Sequence, residues 1–289
     1  GTHVANTAFV TAATFKAVTG LPLTTTDANN LRTEIEYDAA TLRPRFTRTF
    51  SGSTQVGSTS ETIYNDATNN YWVKNRSQID ENRWAESITY FDGLGRAWKS
   101  EQVDSGGNIF TEKEFDADGR VSRVTNPFRA NETRVWTTNV YDEASRVKEV
   151  VLPDGAKVKT DYGVSVNAPI GVTKQITDQA GKKRKGITNV LGQMIRVIED
   201  PTGQNLNTDY VFDTLGNLRK TIQDEQSRYF YHDSLGRLLR AKQPEQNVNG
   251  ALALPIADPI TGHNQWSAAY SYDDNGNILT TTDAKNKTV

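Results

Sequence analysis

Short runs of β-branched, aromatic and alternating polar residues fill most of this chain, and turn-forming residues interrupt them at regular intervals. Thr111-Glu-Lys-Glu-Phe115 leads into Asp116, and Arg120-Val-Ser-Arg-Val-Thr125 leads out of Gly119. Asn217-Leu-Arg-Lys-Thr-Ile222, Arg237-Leu-Leu-Arg240 and Asn277-Ile-Leu-Thr-Thr-Thr282 repeat the exit pattern. Threonine, valine, isoleucine and aromatic side chains fit a pleated, half-buried surface. No segment carries a convincing helical period. The pattern predicts an all-β chain.

The interruptions repeat. An aromatic residue followed by Asp occurs at Tyr37-Asp38, Phe91-Asp92, Phe115-Asp116, Tyr141-Asp142, Phe212-Asp213 and Tyr272-Asp273. The spacing is about 24 residues, or twice that where a degenerate copy intervenes. Tyr231-His232-Asp233 reads as a variant with one residue inserted, Thr188-Asn189 as a weaker copy, and Asp161-Tyr162-Gly163 as a remnant. Glycine closes most copies three residues after the acid or amide, at Gly95, Gly119, Gly192, Gly216, Gly236 and Gly276. Asp or Asn suits the first position of a type I turn, and glycine suits the left-handed fourth position that returns the chain as a hairpin. Asp142-Glu-Ala-Ser145 lacks the glycine, which predicts a strained or altered copy. A second set of turn signals marks the opposite end of each unit: Gly106-Gly107, Asn126-Pro127, Asp154-Gly155, Asp200-Pro201 and Gln243-Pro244. One unit is then a pair of short strands with a turn at each end, and successive units form an antiparallel ribbon.

On this reading, 1–289 is a single ribbon segment of a larger protein. It has a first unit at 1–38, irregular units or an insertion at 39–86, and regular repeats over 87–289 with an insertion at about 246–265. Met194, internal and alone of its kind, points to a processed or excised chain.

The strings Phe91-Asp-Gly-Leu-Gly-Arg96, Phe115-Asp-Ala-Asp-Gly-Arg-Val121, Phe212-Asp-Thr-Leu-Gly-Asn-Leu218 and Tyr272-Asp-Asp-Asn-Gly-Asn-Ile278 resemble the YD repeat of the RHS family. Gly20 to Asp38 also resembles that family's spacer between repeats. The resemblance implies a repetitive hairpin ribbon coiled into a spiral, as part of a hollow shell. In toxin complexes and polymorphic toxins of bacteria, such a shell holds a C-terminal toxin; in teneurin-like and wall-associated members the repeats serve adhesion or display. The implied partners are the remainder of the shell and an enclosed C-terminal polypeptide, in a protein secreted or displayed at a bacterial surface. Asp200-Pro-Thr-Gly203 only superficially resembles the family's self-cleavage string, so self-cleavage is not expected.

Composition narrows the chemistry. Cysteine is absent, which excludes disulfide scaffolds, thiolate catalysis and Cys-based zinc sites. A net charge of −2 supplies no field to attract nucleic acid, and no apolar run is long enough to span a bilayer as a helix. His3, His232 and His263 are isolated, so no metal or other cofactor is expected. The tip acids read as turn caps rather than calcium ligands, because neither cluster has a complete ligand series. Post-glycine Arg96, Arg120, Arg146 and Arg237 are expected to pair with the acids of neighbouring tips, a packing role. Lys182 to Lys185 reads as a solvated turn guarding a strand edge, with contact to an acidic polysaccharide or a phosphate backbone as the alternative. Trp72, Trp84, Trp98, Trp136 and Trp266 either fill the layer between ribbons or stack on sugars. No catalytic constellation emerges. The sequence therefore predicts a non-enzymatic structural segment, with a cell-surface carbohydrate-binding module as the alternative, and an isolated piece that self-associates through strand edges.

Overall fold

The computed structural model describes residues 11–289, so the first ten residues of the expected unit at 1–38 lie outside the described part. Contacts divide the chain into two units that meet between Asn139 and Val140. The first carries β1 (Ala12–Phe15), β2 (Pro22–Thr26), β3 (Leu31–Tyr37), β4 (Pro44–Ser51), β5 (Thr54–Gln55) and β6 (Ser60–Ala67). It continues through β7 (Asn70–Gln78), β8 (Trp84–Phe91), β9 (Ala97–Gln102), β10 (Ile109–Phe115), β11 (Val121–Thr125) and β12 (Phe128–Arg129). The boundary falls inside β13 (Trp136–Tyr141). The second unit holds β14 (Val147–Val151), β15 (Lys157–Ser165), β16 (Gly171–Thr177), β17 (Lys183–Thr188), β18 (Met194–Glu199) and β19 (Leu206–Phe212). It ends with β20 (Leu218–Gln223), β21 (Gln226–His232), β22 (Leu238–Lys242), β23 (Ala268–Tyr272) and β24 (Ile278–Thr282). A single 3-10 turn, Gly250–Leu252, is the one helical element among the described residues. The protein is all-β.

Within each unit the described pairings are antiparallel, and most join strands adjacent in sequence. Short excursions account for the exceptions. β5 pairs with β4 only at Phe50 and Ser51, so β6 takes up β4 again at Phe46 and Thr47. Residues 39–86, expected to be irregular, instead hold the long strands β4, β6, β7 and β8, and the departure is confined to the stretch around β5. The Asp38 turn and the β6–β7 turn place Leu42 (φ 58°) and Asn69 (φ 63°), not glycine, in the left-handed positions.

Most strand residues are half-buried, as expected where a sheet has little second layer to exclude water. Among the described residues, the fully buried large side chains are Trp266, Asp258 and Ser267. All three belong to the stretch between β22 and β23. That stretch folds back so that Leu252, Trp266 and Ala269 cluster with Tyr229, Tyr231 and Leu254.

Candidate functional site

The repeated tip is the one constellation that recurs along the chain, and its bonds follow from the turn. At Asp92 the backbone N–H donates to the Arg96 carbonyl, and Gly95 N–H donates to the Asp92 carbonyl, both at 3.0 Å. Asp92 Oδ1 accepts the N–H groups of Leu94 and Arg96, and Oδ2 accepts Arg96 Nε at 2.8 Å. Gly95 sits at φ 76°, where a side chain would be strained. The ladder slips by one residue at Phe91, which therefore faces Ala97. This bulge is the usual companion of a three-residue hairpin.

The same bonds recur at Asp116-Gly119-Arg120, Asp233-Gly236-Arg237, Asp213-Gly216 with Asn217, and Asp273-Gly276 with Asn277. At Asp142 they persist without glycine, because Ser145 adopts φ 61° and Arg146 closes the turn. That copy is strained but not altered. Asp38 follows Tyr37 into a loop one residue longer, with Leu42 N–H donating to the Asp38 carbonyl. Other expectations need correction. His232, not Tyr231, occupies the aromatic position before Asp233, facing Leu238 across the bulge, so no residue is inserted. Asp161-Tyr162-Gly163 forms no tip and lies inside β15. Three further tips lack the full sequence signature: Asp178 follows a threonine, while Asp27 and Asp283 turn through left-handed Asn30 and Asn286.

Arg96, Arg120, Arg146 and Arg237 each pair with the acid of their own tip, four residues back, rather than with a neighbour's, whereas Arg43, which closes the longer Asp38 loop, pairs with Asp66. In the first four the turn itself brings Nε to Oδ2. What reaches the neighbour is the flat face of the guanidinium. Arg96 lies over Phe115 and Arg146 over Tyr162, each 4.2 Å from the ring centroid. Arg43 covers Tyr64 at 4.9 Å and Arg237 covers Tyr272 at 5.1 Å. The hydroxyls of Tyr64, Tyr162 and Tyr272 then donate to the carbonyls of Pro44, Val147 and Leu238 on the preceding strand. The rungs at Tyr64, Tyr162 and Tyr272 thus join an ion pair, a cation–π contact and a hydrogen bond, and the Phe115 rung has the first two. Electrostatics agree. The Arg96 amide beside Asp92, the Arg146 amide beside Asp142 and the Arg237 amide beside Asp233 hold these carboxyls below their ordinary value. At Asp116 and Asp213 desolvation pushes upward, and bonds from Arg120 and Asn217 outweigh it. The bonded lone pairs are committed to turn amides and closing side chains, which is structural chemistry.

The remaining candidates disperse. Trp266 is fully buried, which removes it as a sugar platform. Arg76 covers Trp84 and Arg123 covers Trp136, while Trp72 is half-buried and Trp98 is exposed beside Tyr90. Lys182 closes the Asp178 turn, and Lys183–Lys185 begin β17, an inner strand paired on both sides, so they guard no edge. Asp200 and Gly203 form a turn between β18 and β19. Among the described residues no three metal-ligating side chains assemble, and no helix is long and apolar enough to cross a membrane. His3 lies outside the described residues. Burial pushes the His232 and His263 imidazoles below their ordinary value.

The fold and its tips define a class: an antiparallel hairpin-repeat protein whose turns are locked by acid–arginine–aromatic rungs. Residues 60–183 match the DUF6443 domain, a domain of unknown function. Double-stranded DNA deaminase toxin A of Burkholderia cenocepacia (strain H111) is 26% identical over 137 residues, 47% of this chain and 8% of that protein. A chain of the TcdB2-TccC3 crystal structure superposes on 97% of this chain with a TM-score of 0.67 at 14% identity, covering 17% of its own length. One from TcdB2-TccC3-Cdc42 gives 0.66 over 96% at 12% identity, covering 19% of its length. This chain therefore spans less than a fifth of any of these relatives. Repeat, fold and likenesses fit the RHS/YD-repeat family.

Proposed function

We propose that this chain is a non-enzymatic stretch of wall in a toxin-type shell that encloses a C-terminal toxin or effector polypeptide. The observation that carries this reading is the repeated tip, whose acids and arginines are spent on locking one hairpin to the next. The likeness to TcdB2-TccC3 and to a protein named as a toxin supports the toxin association. On this reading 1–289 is one ribbon segment, its partners are the rest of the shell and the enclosed polypeptide, and the parent protein is secreted or surface-displayed. Cut from its shell, the piece associates through exposed strand edges; light scattering on the isolated chain checks this. Limited proteolysis of the parent protein tests the enclosure. Segments downstream of the repeats should resist digestion until the ribbon is breached, and their release while the ribbon stays intact contradicts it. Exposed Trp98 favours a second reading, carbohydrate contact at the wall, which glycan-array binding lost on Trp98→Ala would support.

A further inference from the structure

Some rungs are filled by an arginine, and the Phe91 rung is one that is not. Arg43, Arg96, Arg146 and Arg237 each cover the ring of the next strand's aromatic residue. Phe91 has the same position before a tip acid, but the residue across the ladder from it is Tyr71. The β6–β7 hairpin preceding it turns through Thr68 and Asn69, and no arginine closes that turn. A cavity of about 300 Å³ is lined by Tyr71, Phe91, Trp72 and Val73 together with Asn65, Asp66 and Asp92. Gly93 and Gly95 of the tip line it too, so no tip side chain at those positions narrows it.

We infer that this open rung receives an arginine side chain from a partner polypeptide. The four filled rungs show what such a slot takes: a planar cation on an aromatic face with carboxylate oxygens at its edge. Here the rings of Tyr71 and Phe91 and two aspartates line the slot, and among the described residues no arginine of the chain lies over either ring. Asp66 already holds Arg43 and Asp92 holds Arg96, yet each carboxylate offers more acceptor sites than one arginine fills. A guanidinium suits the slot better than an ammonium, because it stacks flat and spreads five donors in its plane. The inference does not depend on whether the shell encloses a toxin.

The test is an NMR titration of the full chain with N-acetyl-arginine methylamide, with the lysine analogue and methyl glucoside as comparators. Saturable shifts of the Phe91 and Tyr71 ring signals with the arginine compound, several-fold weaker with lysine and absent with the sugar, are expected. No saturable shift, or an equal response to the sugar, overturns the inference. Tyr71→Arg supplies the missing cation within the chain. It should raise Tm and abolish the response, whereas an undiminished response in this variant also overturns the inference.

Discussion

Strands β15–β18 and strands β20–β23 are made from the same hairpin unit, yet they bury their side chains very differently. Across β16–β18, Val172, Ile176 and Met194 remain exposed, and Met194 lies across the space left by Gly186. Over β20–β23 the stretch between β22 and β23 adds a second layer. His263 stacks on Tyr229 with centroids 3.8 Å apart, and Trp266 packs edge-on to His263 and tilted to Tyr231. Arg219 reaches Asp258 at 2.5 Å and Asp213 at 3.5 Å, with its side chain and that of Asp258 almost wholly buried. The repeat alone buries a few residues such as Ile187 and Val197 and leaves most half-buried; among the described residues the wholly buried Trp266, Asp258 and Ser267 all lie in chain that does not repeat. In a solenoid-like protein, where stability is a sum of local terms, the covered patch should therefore be an island of extra stability.

That contrast can be broken deliberately. Trp266→Ala should cost about 4 kcal/mol by opening a cavity under the covering segment. Hydrogen exchange in β21–β23 should then rise to the level of β15–β18, while a variant that leaves the two regions distinct contradicts the account. Asp258→Asn leaves the Arg219 cation buried without its main partner, which should cost about 3 kcal/mol in chemical denaturation. Ser145→Gly works in the other direction, outside the patch. Relieving a left-handed serine should stabilise by about 1 kcal/mol, seen as a raised Tm.

The smallest effect separates the regions by pH. His232 and His263 have folded pKa values below their ordinary 6.5, His232 through burial and Arg219, His263 through burial with Lys242 and Lys220 nearby. The unfolded chain then binds more protons, so their contribution is complete above about pH 6.5 and is lost as pH falls through the lowered values. Tip carboxyls such as Asp92 and Asp142 are also depressed, but from 3.8, so their contribution persists until well into acid. Between pH 7 and pH 5, hydrogen exchange corrected for its intrinsic pH dependence should quicken in the covered patch and not in β15–β18.

The tips are legible where an aromatic–Asp pair and a glycine coincide, because only glycine takes the left-handed position without strain. Turns are hidden where Asn30, Asn69 or Asn286 takes that position, and at Asp178, where Thr177 stands in for the aromatic residue. The arginines were recognised as packing residues, but their partners were misassigned. Local turn geometry sets the ion pair, whereas cross-strand register decides which ring each one covers. The covered patch had no sequence signature. Arg219 and Asp258 are 39 residues apart, and an Asn-, Ala- and Pro-rich stretch with one Trp gives no sign of which strand it will cover.

Electron microscopy of the parent protein bears most directly on the central proposal, that this ribbon is shell wall around a polypeptide. The account predicts a hollow body whose wall contains these hairpin rungs, with weaker density inside for the enclosed segment. A solid domain, or a shell whose downstream polypeptide lies wholly outside, would contradict it.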